Sequence, residues 1–186
     1  MIHSLSQGAL IWITGLPGAG KTTTAKHLYE LVKDQVPTVC IDGDVMRELM
    51  GGDLGYTDSD RLANAYRIAR LCKHLVDHRL LVICSTVSLY KEIHEWIRTY
   101  IAITTIVLID VDFSTLVQRD QKGMYSQALA GQLTNVRGVN QAYDIPEAPE
   151  FTIQNNGNIE TLFALAPQIM DTVLQRLQVH TDSPSV

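Results

Sequence analysis

A strand-like run, Ala9-Leu10-Ile11-Trp12-Ile13, leads straight into Gly15-Leu16-Pro17-Gly18-Ala19-Gly20-Lys21-Thr22, and a helix-like stretch follows from Thr22 to Lys33. The octet reads G-x-x-x-x-G-K-T. Between a strand and a helix, that spacing marks a phosphate-binding P-loop. The glycines let the backbone curl so that several N–H groups face one anion, and the helix behind adds its positive end. Lys21 can reach the β- and γ-phosphates of a nucleotide, and the Thr22 hydroxyl can ligate Mg²⁺. A plain glycine turn is the bland alternative, and the flanking context argues against it.

The rest of the chain must supply a sheet to carry that loop. Short apolar runs predict strands at 9–14, 38–42, 80–85, 104–110 and 150–153. Helical periodicity predicts helices at 20–34, 44–50, 58–79, 89–100, 113–119 and 158–178. Leu80-Leu81-Val82-Ile83-Cys84 and Ile106-Val107-Leu108-Ile109 are continuous hydrophobics, as strands buried on both faces require. The expectation is an α/β P-loop NTPase fold: a mostly parallel five-stranded sheet flanked by helices, with ligands at the carboxyl ends of the strands. With 186 residues, 46% hydrophobic and 19% charged, one domain over residues 1–180 is expected, with a frayed tail at 181–186.

Net charge is −5, and residues 143–186, with one Lys/Arg against six Asp/Glu, account for all of it. No basic stripe marks a nucleic-acid polymer as partner. No window of 18 apolar residues marks a membrane span, and the N-terminus lacks signal-peptide regions, so a cytoplasmic protein is expected. Cys40, Cys72 and Cys84 lack metal spacing and are expected to be buried free thiols. The six histidines fall mostly at helix positions expected to face water and are assigned no chemistry.

A second candidate site follows the second strand. Asp42-Gly43-Asp44 and Arg47 stand at a strand's carboxyl end. One carboxylate can hold Mg²⁺ through water, and one can take a proton from an acceptor hydroxyl. Arg47 can clamp an anion. A turn with Asp44 as helix N-cap is the structural reading of the same residues. Thr57 to Asp60 has capping-box spacing, and on the helix behind it Arg61, Asn64 and Arg67 share one side. That stripe suits an anionic, hydrogen-bonding ligand or a solvated face. From Asp120 to Ala148 strand signal is absent and Gly123, Gly131 and Gly138 recur. It carries Lys122 and Arg137, with Arg119 just ahead, and reads as a lid over about 119–148.

These residues together resemble the adenylylsulfate kinases. The resemblance runs from about residue 9 to 155: the P-loop with its lead-in, Asp42-Gly43-Asp44 with Arg47, Asp53-Leu54-Gly55-Tyr56, Asp60-Arg61 with Asn64 and Arg67, Ser88 with Tyr90, Arg119-Asp120 with Lys122-Gly123-Met124-Tyr125, Ala130-Gly131, and Tyr143 with Pro146-Glu147-Ala148-Pro149-Glu150. It implies transfer of the γ-phosphate of ATP, with Mg²⁺, to the ribose 3′-hydroxyl of adenosine 5′-phosphosulfate. It implies an ATP site at Gly15, Gly18, Ala19, Gly20, Lys21, Thr22 and Thr23, with Arg119 against the base. Thr22 and Asp42 would serve the metal, Asp42 and Asp44 the chemistry, and Lys122 the phosphates from the lid. Arg47, Tyr56, Arg61, Asn64, Asp42 and Lys122 would meet the acceptor. Ser88 would be a phosphorylation site or a strand-end hydrogen bond. A homodimer is also implied.

Departures from the family gather on the acceptor side. Val45 stands where the family has Asn and Tyr66 where it has Arg. Ser88-Leu89-Tyr90-Lys91 replaces Ser-Pro-Tyr-Arg. The lid reads Val136-Arg137-Gly138-Val139-Asn140 where the family has Phe-Thr-Gly-Ile-Asp, so of two rings that would sandwich the acceptor base only Tyr56 remains. A kinase acting on another 5′-substituted nucleotide, such as a cytidine diphosphate derivative, is therefore the alternative. A nucleotide-dependent switch is the third reading, and the chain lacks the guanine-reading N-K-x-D.

Overall fold

A computed structural model describes residues 4–120 and 123–179. Five strands form one all-parallel sheet: β1 Ala9–Thr14, β2 Thr38–Asp42, β3 Leu81–Ser85, β4 Thr104–Asp110 and β5 Phe151–Gln154, in the order β2-β3-β1-β4-β5. Helices α1 Lys21–Val32, α2 Gly43–Leu49, α3 Asp58–Asp77, α4 Lys91–Tyr100, α5 Phe113–Arg119, α6 Met124–Leu129, α7 Ile159–Phe163 and α8 Ala166–Val179 complete the described residues.

Period-two alternation along the strands builds two cores. Ile11, Ile13, Leu81 and Ile83 point to the face covered by Leu28 and Val32 of α1 and Ile169 and Val173 of α8. Leu10, Trp12, Val82 and Cys84 point to the face covered by Ile68 and Cys72 of α3 and Ile93 and Ile97 of α4. Each side chain of this kind contributes about 1.5–3 kcal/mol on burial. Both faces are therefore dry, which is why the strands read as unbroken apolar runs.

The P-loop fits its place through glycine. Gly15 has φ +150°, and a Cβ there would lie 2.5 Å from the Ile109 carbonyl oxygen of β4. Gly20 has φ +107°, and its Cβ would meet the Asn155 amide at 2.9 Å. Larger residues would push the loop off the sheet.

All five expected strands form, to within a residue at their ends. The helical reading needs correction in three places. The helix expected over 158–178 is two helices, broken at Ala164-Leu165. Pro167 cannot sit in a continuous helix, because its ring would clash with the Phe163 carbonyl, so α8 starts afresh just before it. The segment expected to be a lid contains a short helix, α6, that periodicity missed. The 89–100 helix begins at Lys91, behind Tyr90. Two burial expectations also fail. Cys40 is exposed, because β2 is an edge strand, while Cys72 and Cys84 are buried free thiols. His94 is buried, 4% exposed, rather than facing water. The tail at 181–186 lies outside the described residues. Among the described residues no helix is long and apolar enough to cross a membrane.

Candidate active site

Sheet register assembles the first half of the site. Asp42 pairs with Ser85, and Ser85 stands beside Ile13 on the other side, so the last residues of β2, β3 and β1 meet at one edge. There the Thr22 hydroxyl donates to Asp42 Oδ2 at 2.6 Å and the Ser85 hydroxyl to the same oxygen at 3.0 Å. Asp42 Oδ1 accepts the backbone N–H groups of Asp44 and Val45 at 3.0 and 3.4 Å. Asp42, not Asp44, is therefore the N-cap of α2. Partial burial pushes the Asp42 carboxyl up, but four hydrogen bonds from Thr22, Ser85, Asp44 and Val45 outweigh it and hold the group below the usual carboxylate range. Asp44 is exposed on the first turn of α2.

The P-loop is braced from three directions. The buried Lys21 ammonium donates to the Leu16 carbonyl at 2.9 Å across the loop. Asn155, buried after β5, donates its amide to the Ala19 carbonyl at 2.7 Å. Tyr125 of α6 donates its hydroxyl to the Pro17 carbonyl at 2.8 Å, and burial pushes that hydroxyl's pKa well up. Gly18 is left-handed at φ +77°, Ala19 is buried, and Thr22 and Thr23 are exposed at the start of α1. Arg119 donates to the carbonyls of Asn155 and Gly157 at 2.8 and 3.3 Å, tying the end of α5 to the segment after β5. Lys122 lies outside the described residues.

The second half of the site is a stack of one ring and two cations. Arg47 Nη1 donates to the carbonyls of Leu54 and Gly55 at 2.9 and 2.7 Å, and its guanidinium lies 4.8 Å from the Tyr56 ring centre. Arg61 donates to the Tyr56 carbonyl at 3.1 Å and lies 5.1 Å from the same ring. Arg61 also reaches the lid, donating to the Asn135 carbonyl at 3.0 Å. Burial first, then the guanidinia of Arg137 and Arg47, lower the Arg61 pKa, so three like charges share one corner. Tyr56 itself is 59% exposed and Asn64 is buried one turn beyond Arg61. Such a corner attracts an anion. Arg67, the third member of the expected stripe, is instead closed by a two-pronged ion pair with Asp53 at 2.6 and 2.7 Å. Ser88 is buried, its hydroxyl 2.9 Å from that of Thr86.

The structure thus brings Lys21, Thr22 and Asp42 together at one edge and Arg47, Tyr56 and Arg61 at another. The departures make contacts of their own elsewhere. Tyr66 donates to Glu92 Oε2 at 3.1 Å, Lys91 pairs with Glu147 at 2.8 Å, and Val136 is buried in the core. Asn155 was not singled out from sequence, and Tyr125 appeared there only as part of a motif, without a role. The placement of Asn155 after a strand was the one available hint for it.

A five-stranded parallel sheet with this loop at the carboxyl end of its central strand defines a P-loop phosphotransferase. The sequence profile described as adenylylsulphate kinase matches residues 7–154. An adenylyl-sulfate kinase of Deinococcus deserti is 36% identical over 155 residues, covering 83% of this chain and 86% of its own. A cytidine diphosphoramidate kinase of Campylobacter jejuni is 38% identical over 148 residues, covering 79% and 86%. The Mycobacterium tuberculosis APS kinase, solved in complex with AMPPNP and APS, superposes with a TM-score of 0.80 at 28% identity, covering 91% of this chain and 98% of that one. The chain belongs to the adenylylsulphate kinase family and is a P-loop phosphotransferase with an alcohol acceptor.

Proposed function

We propose that this enzyme transfers the γ-phosphate of ATP to the ribose 3′-hydroxyl of adenosine 5′-phosphosulfate. The observation that carries the reading is the pairing of two half-sites: Asp42 bound to the P-loop Thr22, and the Arg47–Tyr56–Arg61 stack beside it. One suits a nucleoside triphosphate, and the other an anionic nucleotide with a flat base.

ATP is held by the P-loop N–H groups at Gly15–Thr23 and by Lys21, with Arg119 beside the base. Magnesium fits the residues present. Thr22 and Asp42 place one hydroxyl and one ionised carboxylate side by side, and among the described residues no group of three or more His, Cys, Asp or Glu could hold a metal. That donor set suits a hard cation that keeps phosphate and water ligands. Thr22 and Asp42 would hold it, and when bound it neutralises charge on the β- and γ-phosphates. Asp42, kept ionised by four hydrogen bonds, is a weak base and serves better as an anchor than as a proton acceptor. Asp44, exposed one residue into α2, takes the hydroxyl proton. Arg47, Arg61 and Asn64 orient the acceptor, the Tyr56 ring stacks on its base, and Lys122 meets the phosphates as the 119–148 lid closes. Ser88, buried against Thr86, acts as a hydrogen-bonding residue rather than a phosphate carrier. ATP as donor suits a cytoplasmic setting. A homodimer, implied by the family, would appear in light scattering as twice the 20.7 kDa chain mass.

A second reading is a cytidine diphosphate derivative as acceptor. It is favoured by Val136, an aliphatic buried in the core where a second stacking ring is expected, and by the 38% identity to a kinase named for such a substrate. Release of ADP from ATP with each acceptor, measured in parallel, tests both. Turnover of adenosine 5′-phosphosulfate supports the first, and turnover of the cytidine derivative alone overturns it in favour of the second.

A further inference from the structure

Arg137 is the most completely buried charged side chain among the described residues, 2% exposed, yet it belongs to a lid whose neighbours are largely at the surface. A guanidinium in that position is costly unless each donor finds a partner. Its partners come from the β3–α4 loop, from α3 and from the lid itself, where Nη1 also reaches the Ala142 carbonyl at 3.4 Å. Nη1 donates to the Leu89 carbonyl of the β3–α4 loop at 2.8 Å. Nη2 donates to Asp58 Oδ1, on the first residue of α3, at 3.2 Å. The guanidinium lies 4.0 Å from the Tyr90 ring centre. Asp58 Oδ1 also accepts the Tyr90 hydroxyl at 2.9 Å and the Gln141 amide at 3.0 Å. Lid, helix and loop therefore converge on one carboxylate.

A second contact runs the opposite way between the same elements. Arg61, one turn along α3 from Asp58, donates to Asn135, two residues before Arg137. Arg61 also holds the Tyr56 backbone and flanks its ring. The lid is thus stitched to α3 twice, and one stitch is the cation that positions the stacking ring.

The geometry points to Arg137 as a positioning residue that fixes the acceptor pocket: by latching the lid to Asp58 it holds Asn135, and through it Arg61 and Tyr56, in place before the acceptor arrives. Arg137 is too enclosed to touch the acceptor itself. Its effect is pre-organisation, which lowers the ordering cost paid on binding. The ATP half-site has braces of its own in Asn155 and Tyr125, and the latch bears on it only indirectly, through Gly138 packed against Leu16 of the P-loop. This inference rests on the proposed acceptor role of Tyr56 and Arg61, and the test separates the two.

Arg137→Met keeps most of the volume without the charge. Asp58→Asn alters a side chain that is 68% exposed and so spares the core. Each should raise the acceptor KM about tenfold and change the KM for ATP far less. Because the two act through one contact, the double variant should be no worse than the poorer single one. Arg137→Lys keeps the charge but not the fork and the stacked plane, so it should restore only part of the loss. The acceptor is adenosine 5′-phosphosulfate, or the cytidine derivative if that is the one turned over. Amide hydrogen exchange, which needs no acceptor, should quicken at 133–142 and 53–57 in Arg137→Met while the P-loop keeps its protection. Equal rises in both KM values, additive single variants, or unchanged exchange at 53–57 would each overturn the latch. Arg61→Met is the control. If it raises the acceptor KM and Arg137→Met does not, the latch alone fails. If Arg61→Met leaves the acceptor KM unchanged, the pocket assignment fails and the latch with it.

Discussion

At the scale of single residues, the account turns on charge held in place by hydrogen bonds. Lys21 and Asp42 each stand where the P-loop folds back on the sheet, so neither can be replaced without loss of the charge or its geometry. Lys21→Ala and Asp42→Asn should each lower kcat at least about a hundredfold, read from steady-state ADP release. Near-normal turnover in either would remove these residues from the chemistry. Tyr56→Leu keeps bulk and removes the π-face. A stacked base contributes about 1–3 kcal/mol, so the acceptor KM should rise roughly tenfold to a hundredfold with little change for ATP. An unchanged KM would mean that the base lies elsewhere. Asp42 was legible from sequence because two carboxylates at a strand end beside a P-loop suit few arrangements. Its work as the cap of α2 was not, since Asp44 has the same chemistry two residues on and only the backbone geometry distinguishes them. Arg137 was legible as a basic residue of the lid and as a departure from the family, but not as a buried one, because its burial depends on Leu89 and Asp58, 48 and 79 residues away.

At the scale of elements, local chemistry sets where helices begin. Thr57 accepts the Asp60 backbone N–H at 3.2 Å and caps α3, as the spacing predicts. The acid at the third position differs from a full capping box, because it accepts from the Thr57 hydroxyl rather than from backbone. Thr57→Ala should cost about 1 kcal/mol of stability, seen as a lower midpoint in urea with an unchanged slope. Because α3 also carries Arg61, a larger rise in acceptor KM than in ATP KM should accompany it. On α4, burial pushes the His94 imidazole from its ordinary 6.5 down to about 4, with the nearby Ser88 backbone opposing the shift and the Arg98 charge adding to it. The unfolded chain then binds a proton between these values that the folded chain refuses. Stability is full above pH 6.5 and declines as pH falls toward 4, and His94→Leu should flatten that decline in pH-dependent thermal melts. An identical slope in parent and variant would contradict the assignment. Periodicity could not place His94, whose helix position reads as outward although the fold buries it. Pro167 carried the signal for the break between α7 and α8, but the continuous apolar stripe over 158–178 masked it, and α6 is too short to show a period.

At the scale of the whole molecule, two layers of helix on one parallel sheet leave the carboxyl edge as the place where P-loop, Asp42 and lid converge. Nearly all of that architecture was readable, because strands buried on both faces are continuous apolar runs and the P-loop fixes which strand is central. Pairing across the fold was not readable. Asn155 reaching Ala19 and Tyr125 reaching Pro17 each join residues more than 100 positions apart, and no local pattern encodes them. The acid limb of stability belongs to this scale too. Asp42 sits below its ordinary 3.8, so the stability it lends is full above that value and is lost as pH falls through its lower folded-state value. Asp42→Asn should therefore lose less stability than the parent over the most acidic part of a pH series, although it starts lower at neutral pH.

The central claim is that the two half-sites join ATP to an adenosine 5′-phosphosulfate acceptor. The most direct measurement is ADP release from ATP·Mg²⁺ with adenosine 5′-phosphosulfate, run beside cytidine and uridine 5′-diphosphate derivatives. Saturable turnover of adenosine 5′-phosphosulfate is expected, abolished by Lys21→Ala, with the new phosphate on the ribose 3′-oxygen. Turnover confined to a cytidine or uridine derivative, with none for adenosine 5′-phosphosulfate, would contradict it and make Val136 and its neighbours the wall of a pocket built for another base.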